Sequence, residues 1–412
     1  YSSYMHMHKR IDGRFRTEIV PGVTSVSAAS AALAMPLVEG DDILTVLPGT
    51  LDREELARRL REPGAAAIMK IGRSYEKVRA ALKDSGRLDQ ARYVERASGG
   101  ARQVIERAGE VDPSAVPYMS LLIMPGAEAS GQPELPARAS APVSGAGAVS
   151  EGPGIVQDNG VERGAGRVDV VGLGPAGRDW LTPQAAAVLA AADDIVGYET
   201  YVARVPVNPR QRRHGSGNRV EAERAEFALD LARQGRRVAV VSSGDPGVFA
   251  MASPVLEAAA RERFAGVPVG IVPGITAAQA VAGIAGAPLG HDYVMLSLSD
   301  RLKPWDVIAR RLRAAADGDF AIAIYNPASR SRRRQLIDAR DLLLRHRDAG
   351  TPVVIGRAVG SEEERVTVTT LGELDPAEVD MRCLLIIGSS QSVIVRDGAG
   401  AARVITPRRY PR

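Results

Sequence analysis

One cysteine, Cys383, in 412 residues excludes an internal disulfide and a cysteine-built zinc site, and fits a reducing compartment, so the cytoplasm is the expected location. Aromatic residues make up only 4%, which leaves few platforms on which single-stranded nucleic acid could stack. Neither sign of charge dominates: 53 Lys and Arg face 49 Asp and Glu, a formal +4. The excess is too small and too dispersed for a nucleic-acid partner, but it suits a small polyanionic substrate held by a local group of arginines. No run approaches the about 18 apolar residues of a membrane span, and Cys383 to Ile387 is a strand-length piece. The five histidines offer little. His6 and His8, two apart, would point to opposite sides of a helix, while His291 and His346 stand alone, and neither a metal-ligand set nor a Ser/His/Asp arrangement is visible.

What is present is ordinary globular material, 45% hydrophobic and 25% charged, long enough for two to three domains. Residues 127–166 hold Gly, Ala, Pro and Ser at 24 of 40 positions and cannot bury a core. They read as a linker between a block at 1–126 and a block at 167–412, and the two blocks repeat one another. Val20-Pro-Gly-Val-Thr-Ser matches Val272-Pro-Gly-Ile-Thr-Ala at an offset of 252. Ala67-Ile-Met-Lys-Ile-Gly-Arg-Ser matches Ala323-Ile-Tyr-Asn-Pro-Ala-Ser-Arg, Glu95-Arg-Ala matches Gly356-Arg-Ala, and Ser120-Leu-Leu-Ile matches Cys383-Leu-Leu-Ile, at offsets of 256, 261 and 263. The slow drift implies small loop insertions between two copies of one fold. Ahead of its Val-Pro-Gly segment the second copy has about a hundred residues and the first only twenty. With an opening on Tyr1, without an initiator Met or a leader, this reads as a piece of a longer product whose first copy has lost its front. Such a copy would expose sheet edge and apolar helix faces unless it pairs with something.

Within the second copy, β-branched runs at Val168–Val171, Val238–Ser242, Val269–Val272, Phe320–Tyr325, Val353–Arg357 and Cys383–Ile387 alternate with Ala-, Leu- and Arg-rich helical patterns, which predicts an α/β fold. Helix starts are expected at Thr182-Pro183, with Thr as cap and Pro in the first turn, and at Asp306.

Four motifs carry possible chemistry. Gly172-Leu-Gly174-Pro175-Ala-Gly177 follows a strand, and Asp193 and Asp194 lie about twenty residues on, a dinucleotide spacing. The helix, however, is delayed to about Pro183, so a plain glycine turn, or close approach to a ligand other than a pyrophosphate, competes with nicotinamide binding. In Ser243-Gly244-Asp245-Pro-Gly-Val248, the Asp245 carboxylate could meet an ammonium or a ribose hydroxyl, or serve only as a turn cap. Val272-Pro-Gly-Ile-Thr276-Ala277 offers free backbone N–H groups and a hydroxyl, or simply close packing of helix on sheet. Tyr325-Asn326-Pro327-Ala-Ser-Arg330-Ser-Arg332-Arg333-Arg334 supplies guanidinium forks for carboxylates, or a solvated helix face.

In this order over residues 167 to about 397, the four motifs resemble the tetrapyrrole methyltransferases, among them the precorrin-3B C17-methyltransferases of cobalamin biosynthesis. The first block, with Glu18-Ile-Val-Pro-Gly-Val-Thr and Leu44-Thr-Val-Leu-Pro-Gly-Thr, resembles the rear part of a precorrin-2 C20-methyltransferase, so that the whole is similar to a bifunctional fusion. The resemblance implies two α/β lobes per unit, with S-adenosyl-L-methionine in the cleft between them and the tetrapyrrole, precorrin-3B or its cobalt form, beside it. Pro175, Gly244, Asp245, Val248, Thr276, Ala277, Tyr325, Asn326, Pro327 and Ala358 would hold or line the cofactor. Gly174, Arg330 and Arg332 would face substrate, and Thr24, Ser25, Lys70 and Ala97 are the matching half-site of the first block. No metal is implied, a homodimer is the expected assembly, and His291 is a bare guess for an acid or base in the ring contraction that accompanies C17 methylation. The alternative is an NAD-dependent oxidoreductase resting on the Gly172 to Gly177 loop.

Overall fold

Small side chains on one face of a strand let a helix approach it closely, and both blocks use this device. The computed structural model describes residues 21–38, 42–62, 64–99, 102–126, 166–217, 220–301, 303–329, 333–398 and 400–407. In the first block, β1 (Leu44–Pro48), β2 (Ala65–Met69), β3 (Arg92–Glu95), β4 (Val104–Arg107) and β5 (Ser120–Met124) lie in the order β1-β2-β5-β3-β4. Ala65 and Ala67 of β2 turn toward the helix Ser25–Leu33, whose Val26, Ala29 and Leu33 are buried with them. Thr24 starts that helix by accepting the Ser27 N–H at 3.1 Å, the expected use of a threonine cap.

The second block opens with a five-stranded parallel sheet of β6 (Arg167–Gly172), β7 (Asp194–Tyr198), β8 (Arg212–Ser216), β9 (Arg237–Ser242) and β10 (Val269–Val272), ordered β10-β6-β9-β7-β8. This is the front lobe. A two-residue β11 (Gly286–Ala287) follows, then β12 (Tyr293–Ser297), β13 (Ala321–Tyr325), β14 (Pro352–Arg357), β15 (Arg365–Thr370) and β16 (Cys383–Ile387), ordered β12-β13-β16-β14-β15 in the rear lobe. That order is the first block's, strand for strand. Ala321 and Ala323 again face a small-residue helix, Ala277–Ala285. Finally, β17 (Val393–Arg396) and β18 (Ala402–Ile405) form a small sheet with β11.

The α/β expectation holds, and each β-branched run read from the sequence is a strand. Thr182 accepts the Ala185 N–H at 3.0 Å, with Pro183 opening its helix. The helix expected at Asp306 begins one residue earlier, at Trp305, with Pro304 as its cap residue. Strands β7, β8, β11, β12, β15, β17 and β18 escaped the sequence reading. Arg212-Arg-His-Gly-Ser is a sheet edge and carries no apolar signature of its own.

The two rear sheets are one. Strands β1 and β12 pair antiparallel, with Leu44 opposite Met295, Thr45 opposite Val294 and Val46 opposite Tyr293. Thr45 lies beside Ala66 of β2 and Val294 beside Ile322 of β13, and these neighbours are equivalent in the repeat, so Thr45 and Val294 are equivalent too. The pairing is therefore centred on a pseudo-two-fold axis, with residue i meeting j and j meeting i, as in an isologous interface. The joined ten-stranded sheet has a continuous core on each face. On one, Leu47, Leu56 and Leu60 share a cluster with Val294, Leu296 and Ile308; on the other, Val26, Leu44 and Val46 share one with Tyr293, Met295 and Val281. Arg59 places its guanidinium 4.4 Å from the Phe320 ring centre across the seam. The edge through which the second copy could pair with a second chain is thus occupied from within. Among the described residues, no helix is long and apolar enough to cross a membrane.

An isolated fragment of residues 1–126 should then expose β1 and half of each shared core. It is expected to bind a hydrophobic dye and to melt without a cooperative transition by circular dichroism, and to recover one when mixed with residues 166–407; a sharp transition of the fragment alone would contradict this.

Candidate functional site

In the front sheet β10, β6 and β9 are adjacent, so the turns that leave their carboxyl ends meet. These are the Gly172–Gly177 turn, the Ser243–Val248 turn and the Pro-Gly turn before Thr276. Gly174 and Gly244 exchange backbone hydrogen bonds of 3.1 and 2.9 Å, both with left-handed φ, +67° and +66°, which glycine adopts without strain. The third turn closes on the other two. A Cβ on Gly172 would sit 2.7 Å from the Gly244 carbonyl oxygen and the Gly274 nitrogen, and one on Gly274 would sit 2.2 Å from the same oxygen. The glycines therefore serve the contact of backbone with backbone.

Asp245 fastens this junction. Its side chain is 3% exposed; Oδ1 accepts the Gly247 N–H at 2.9 Å and Oδ2 accepts the Gly274 N–H at 3.1 Å, so one carboxylate ties two turns together. Burial pushes the carboxyl up to about 6, although these amides and the Ser27 hydroxyl pull in the other direction. The two readings of Asp245, cap or ligand, meet here: the cap is real and spans two loops. Arg204, which no sequence pattern singles out, braces the same junction. Its guanidinium donates to the Gly174 carbonyl at 2.8 Å, to the Ala176 carbonyl, and to Ser243 Oγ at 3.0 Å, and burial lowers its pKa from the ordinary value.

The rear lobe supplies the facing wall. Tyr325 ends β13, and its hydroxyl shares a 2.5 Å hydrogen bond with Thr276 Oγ1 and accepts the Ala278 N–H at 3.2 Å. Burial pushes that hydroxyl well above its usual pKa, so it stays protonated. Phe249 packs on the Tyr325 ring with centroids 5.2 Å apart. Asn326, at φ +48°, donates to Ser297 Oγ at 3.0 Å, Pro327 is buried and Ala358 is half-buried at φ +50°. The space around Gly244 opens toward this wall, because a Cβ placed there would meet Thr276 Cα at 3.7 Å and Ala277 N at 3.8 Å and nothing nearer. Pro175 is half-exposed, and Val248 is buried in the rear-lobe core. The lobes touch where a Cβ on Gly360 would come within 2.6 Å of Trp180 Nε1.

Several expectations change. Asp194 is fully buried at the opposite, amino end of β7, where its carboxylate accepts from His214 Nε2 at 2.8 Å and Arg236 Nε at 2.5 Å, while Asp193 accepts the Arg237 N–H at 2.9 Å. The acidic half of the dinucleotide pattern is thus consumed by structure. The loop after Gly177 forms a short 3-10 turn, Arg178–Trp180, ahead of the helix Pro183–Ala191, instead of opening a helix on a glycine. His291 precedes β12, at the end of the rear sheet away from Tyr325, a strand length of roughly 17 Å by the usual rise, and it cannot serve the cleft as acid or base. In the first block the repeat slips by one residue: Glu95 pairs with Ser120 and Arg357 with Cys383. The counterpart of Ala358 is therefore Arg96, at φ +47°, and not Ala97. Lys70, at φ +58°, does match Asn326. Thr24 caps its helix and Ser25 is that helix's first residue. Arg330 and Arg332, with His6 and His8, lie outside the described residues; Arg334 is an exposed helix residue 3.5 Å from Asp338. No group of three or more His, Cys, Asp or Glu that could hold a metal occurs among the described residues.

Two glycine substitutions separate steric from conformational need. Gly274→Ala drives a methyl into a backbone carbonyl and should cost about 3 kcal/mol in urea unfolding. Gly244→Ala has room and pays about 1 kcal/mol for its left-handed φ; the reverse ranking would refute this account of the turns.

The model of the family described as tetrapyrrole (corrin/porphyrin) methylases matches residues 1–112 and 167–375. The cobalamin biosynthesis protein CobIJ of Mycobacterium tuberculosis is 54% identical over 419 aligned positions, covering 100% of this chain and 75% of that protein. The precorrin-3B C(17)-methyltransferase of a Sinorhizobium species is 47% identical over 247 residues, 60% of this chain and 97% of that one. Among solved structures, that of the methyltransferase CobJ superimposes with a TM-score of 0.56 at 46% identity, over 59% of this chain and 100% of its own. None of these relatives favours the oxidoreductase alternative. The family model and the CobIJ match span both copies of the repeat and the three-turn junction just described, and the chain belongs to the tetrapyrrole methylase family.

Proposed function

We propose that the second block, residues 167–412, transfers a methyl group from S-adenosyl-L-methionine to C17 of precorrin-3B, with contraction of the macrocycle. On this reading, residues 1–126 are the rear part of a precorrin-2 C20-methyltransferase-like unit, joined by a linker at 127–166. The observation that carries the reading is the junction of three glycine turns, tied by one buried carboxylate and facing Thr276, Ala277 and Tyr325 across the cleft. The bound cofactor supplies a methyl already activated on a sulfonium sulfur. What remains for the protein is to align that methyl with an electron-rich ring carbon and to exclude water.

The residues fit that task. Gly174, Pro175 and Gly244 present bare backbone on the front side, and Ala277 starts a helix whose small first residues leave space at its amino end. Asp245 holds the two turns at fixed separation, and Val248 anchors the loop in the rear core. Tyr325, Asn326, Pro327 and Ala358 line the adenosine side, and two of them are held by hydrogen bonds that fix their place. Arg330 and Arg332, outside the described residues, are the proposed partners of the substrate's acetate and propionate carboxylates, because a guanidinium can take a carboxylate as a bidentate fork. In the first block Thr24, Ser25, Lys70 and Arg96 form at most half of such a site.

Calorimetric titration of the chain with S-adenosylhomocysteine should show one site, and titration with NAD none; saturation by NAD without binding of the homocysteine product would reverse the reading. Mass spectrometry of parallel reactions with precorrin-3B and with its cobalt complex should show one methyl group added to at least one of the two; no methylation of either would contradict the reading.

The pH dependence follows from Asp245. Its folded value of about 6 lies above the roughly 4 of an unfolded aspartate. The folded chain therefore holds the proton more tightly, and this group's contribution to stability falls as pH rises from about 4 to about 6 and is constant above. The ionised carboxylate is the form that accepts both amides, so S-adenosylhomocysteine should bind fully at pH 7.5 and weaken as pH drops through about 6. Asp245→Asn should bind weakly at both values, without the step.

A further inference from the structure

The helix Ser25–Leu33 of the first copy touches both lobes of the second. Val26, Ala29 and Leu33 are buried in the rear core with Val281 and Tyr293, while Ala31 packs against the front-lobe core of Val168, Met251 and Ile271. The helix ends in a Schellman turn. Ala34, at φ +49°, donates to the Ala31 carbonyl and Met35 to the Ser30 carbonyl, both at 3.1 Å, and the buried Ser30 hydroxyl donates to the Met35 carbonyl. That turn sends the chain toward the Asp245 loop. Leu37 and Val38 both donate their N–H groups to the Gly247 carbonyl, at 3.1 and 3.2 Å, and Val38 forms a parallel bridge with Val248. Gly247 is enclosed there: a Cβ would lie 3.2 Å from Asp245 Oδ1, 3.3 Å from Ser30 Oγ and 3.5 Å from Leu37 N. Val248 is buried in one cluster with Val26, Leu33, Leu37 and Val38. In the second copy the segment equivalent to Met35-Pro-Leu37, Ala287-Pro-Leu289, begins in β11, which pairs with β18 instead.

We propose that residues 35–38 of the first copy clamp the cofactor turn of the second, with Leu37 and Val38 as positioning residues that act through their backbone N–H groups. The proposal rests on the reading that this cleft binds S-adenosyl-L-methionine. A continuous set of hydrogen bonds carries it. Gly247 receives two amides of the first copy on its carbonyl and gives its own N–H to Asp245 Oδ1 at 2.9 Å, and Asp245 Oδ2 accepts the Gly274 N–H at 3.1 Å. The turn from Gly244 to Val248 is thereby held at its far end as well as at its carboxylate. Gly247 is buried, and a buried carbonyl deprived of its donors costs more than the bond itself contributes. Without the clamp the turn shifts toward other partners and takes Gly244 and Asp245 with it, and it must then be ordered again when the ligand arrives.

The test is the affinity of the full chain for S-adenosylhomocysteine. Val38→Pro deletes one of the two N–H groups and keeps an apolar side chain; it is expected to raise the dissociation constant about tenfold and KM for S-adenosyl-L-methionine equally, with kcat at saturation changed less than twofold. Val38→Ala keeps the N–H and should stay within threefold of the unsubstituted chain. Leu56→Ala, in the core on the other face of the joined sheet, lowers the melting temperature of the first copy without moving the affinity. Should Val38→Pro fail to fold, Ser30→Ala, which releases the Met35 carbonyl and opens space beside Gly247, takes its place with an expected rise of about fivefold. Affinity within twofold of the unsubstituted chain in Val38→Pro, or in Ser30→Ala where that variant decides, overturns the clamp. So does a loss in Val38→Ala or Leu56→Ala as large as in the deciding variant, since it would then follow packing or stability and not the backbone donors. Each of these leaves the methyltransferase assignment in place, whereas failure of the unsubstituted chain to bind S-adenosylhomocysteine overturns both.

Discussion

A β-strand at the rim of a sheet presents a row of unpaired N–H and C=O groups, and much in this chain follows from how that rim is closed. Strand β1 of the first copy lies antiparallel against β12 of the second, centred on Thr45 and Val294. Because equivalent strands meet about a pseudo-two-fold axis, one set of contacts satisfies both edges at once, and neither copy needs a cover of its own. The same pairing merges two apolar layers into one on each face, which is why residues such as Leu47 and Leu296, far apart in the chain, share a core. Placement of the helix Ser25–Leu33 beneath the Asp245 turn is a geometric consequence of that seam.

At the cleft, the argument runs through backbone more than through side chains. Three turns approach so closely that a methyl at Gly172 or Gly274 would collide with a main-chain atom. What holds them is a small set of buried charged or polar groups: Asp245 between two amides, Arg204 across two carbonyls and a serine, and Tyr325 between Thr276 and Ala278. Each lies where burial penalises a group left unpaired, so each gains by keeping its partners and thereby keeps the turns in register. A rigid cleft is what methyl transfer from an activated donor asks for, since alignment rather than acid–base chemistry carries most of that step.

Much of this was legible in the residues, for identifiable reasons. The β-branched runs from Val168 to Val171 and from Cys383 to Ile387 are buried on both faces, so composition alone marks them. The internal repeat and the ordered glycine motifs led to the family and to the lobes of the cleft. Polar edge strands such as Arg212–Ser216 left no such mark. Asp194 looked like a ribose ligand by spacing, yet spacing does not say which end of a strand a residue occupies. Arg204 is one of 53 cations, and only its three-dimensional neighbours distinguish it. The match of Ala97 to Ala358 failed by one residue because both stretches carry Arg-Ala, whereas ladder register assigns the position to Arg96.

The duplicated helix shows how a repeat acquires two meanings. In the second copy, Thr276 bonds Tyr325 and borders the cleft; in the first, the equivalent Thr24 caps its helix and donates its hydroxyl to Ser27 Oγ. One local geometry, a turn followed by a helix of small residues, thus serves as a wall in one place and as a buttress in the other. Pseudo-symmetry makes this possible, because the axis that pairs the two edge strands also carries each copy's helix toward its neighbour. Coupling between the halves is then built from backbone contacts: Leu37 and Val38 to Gly247, and Val38 to Val248.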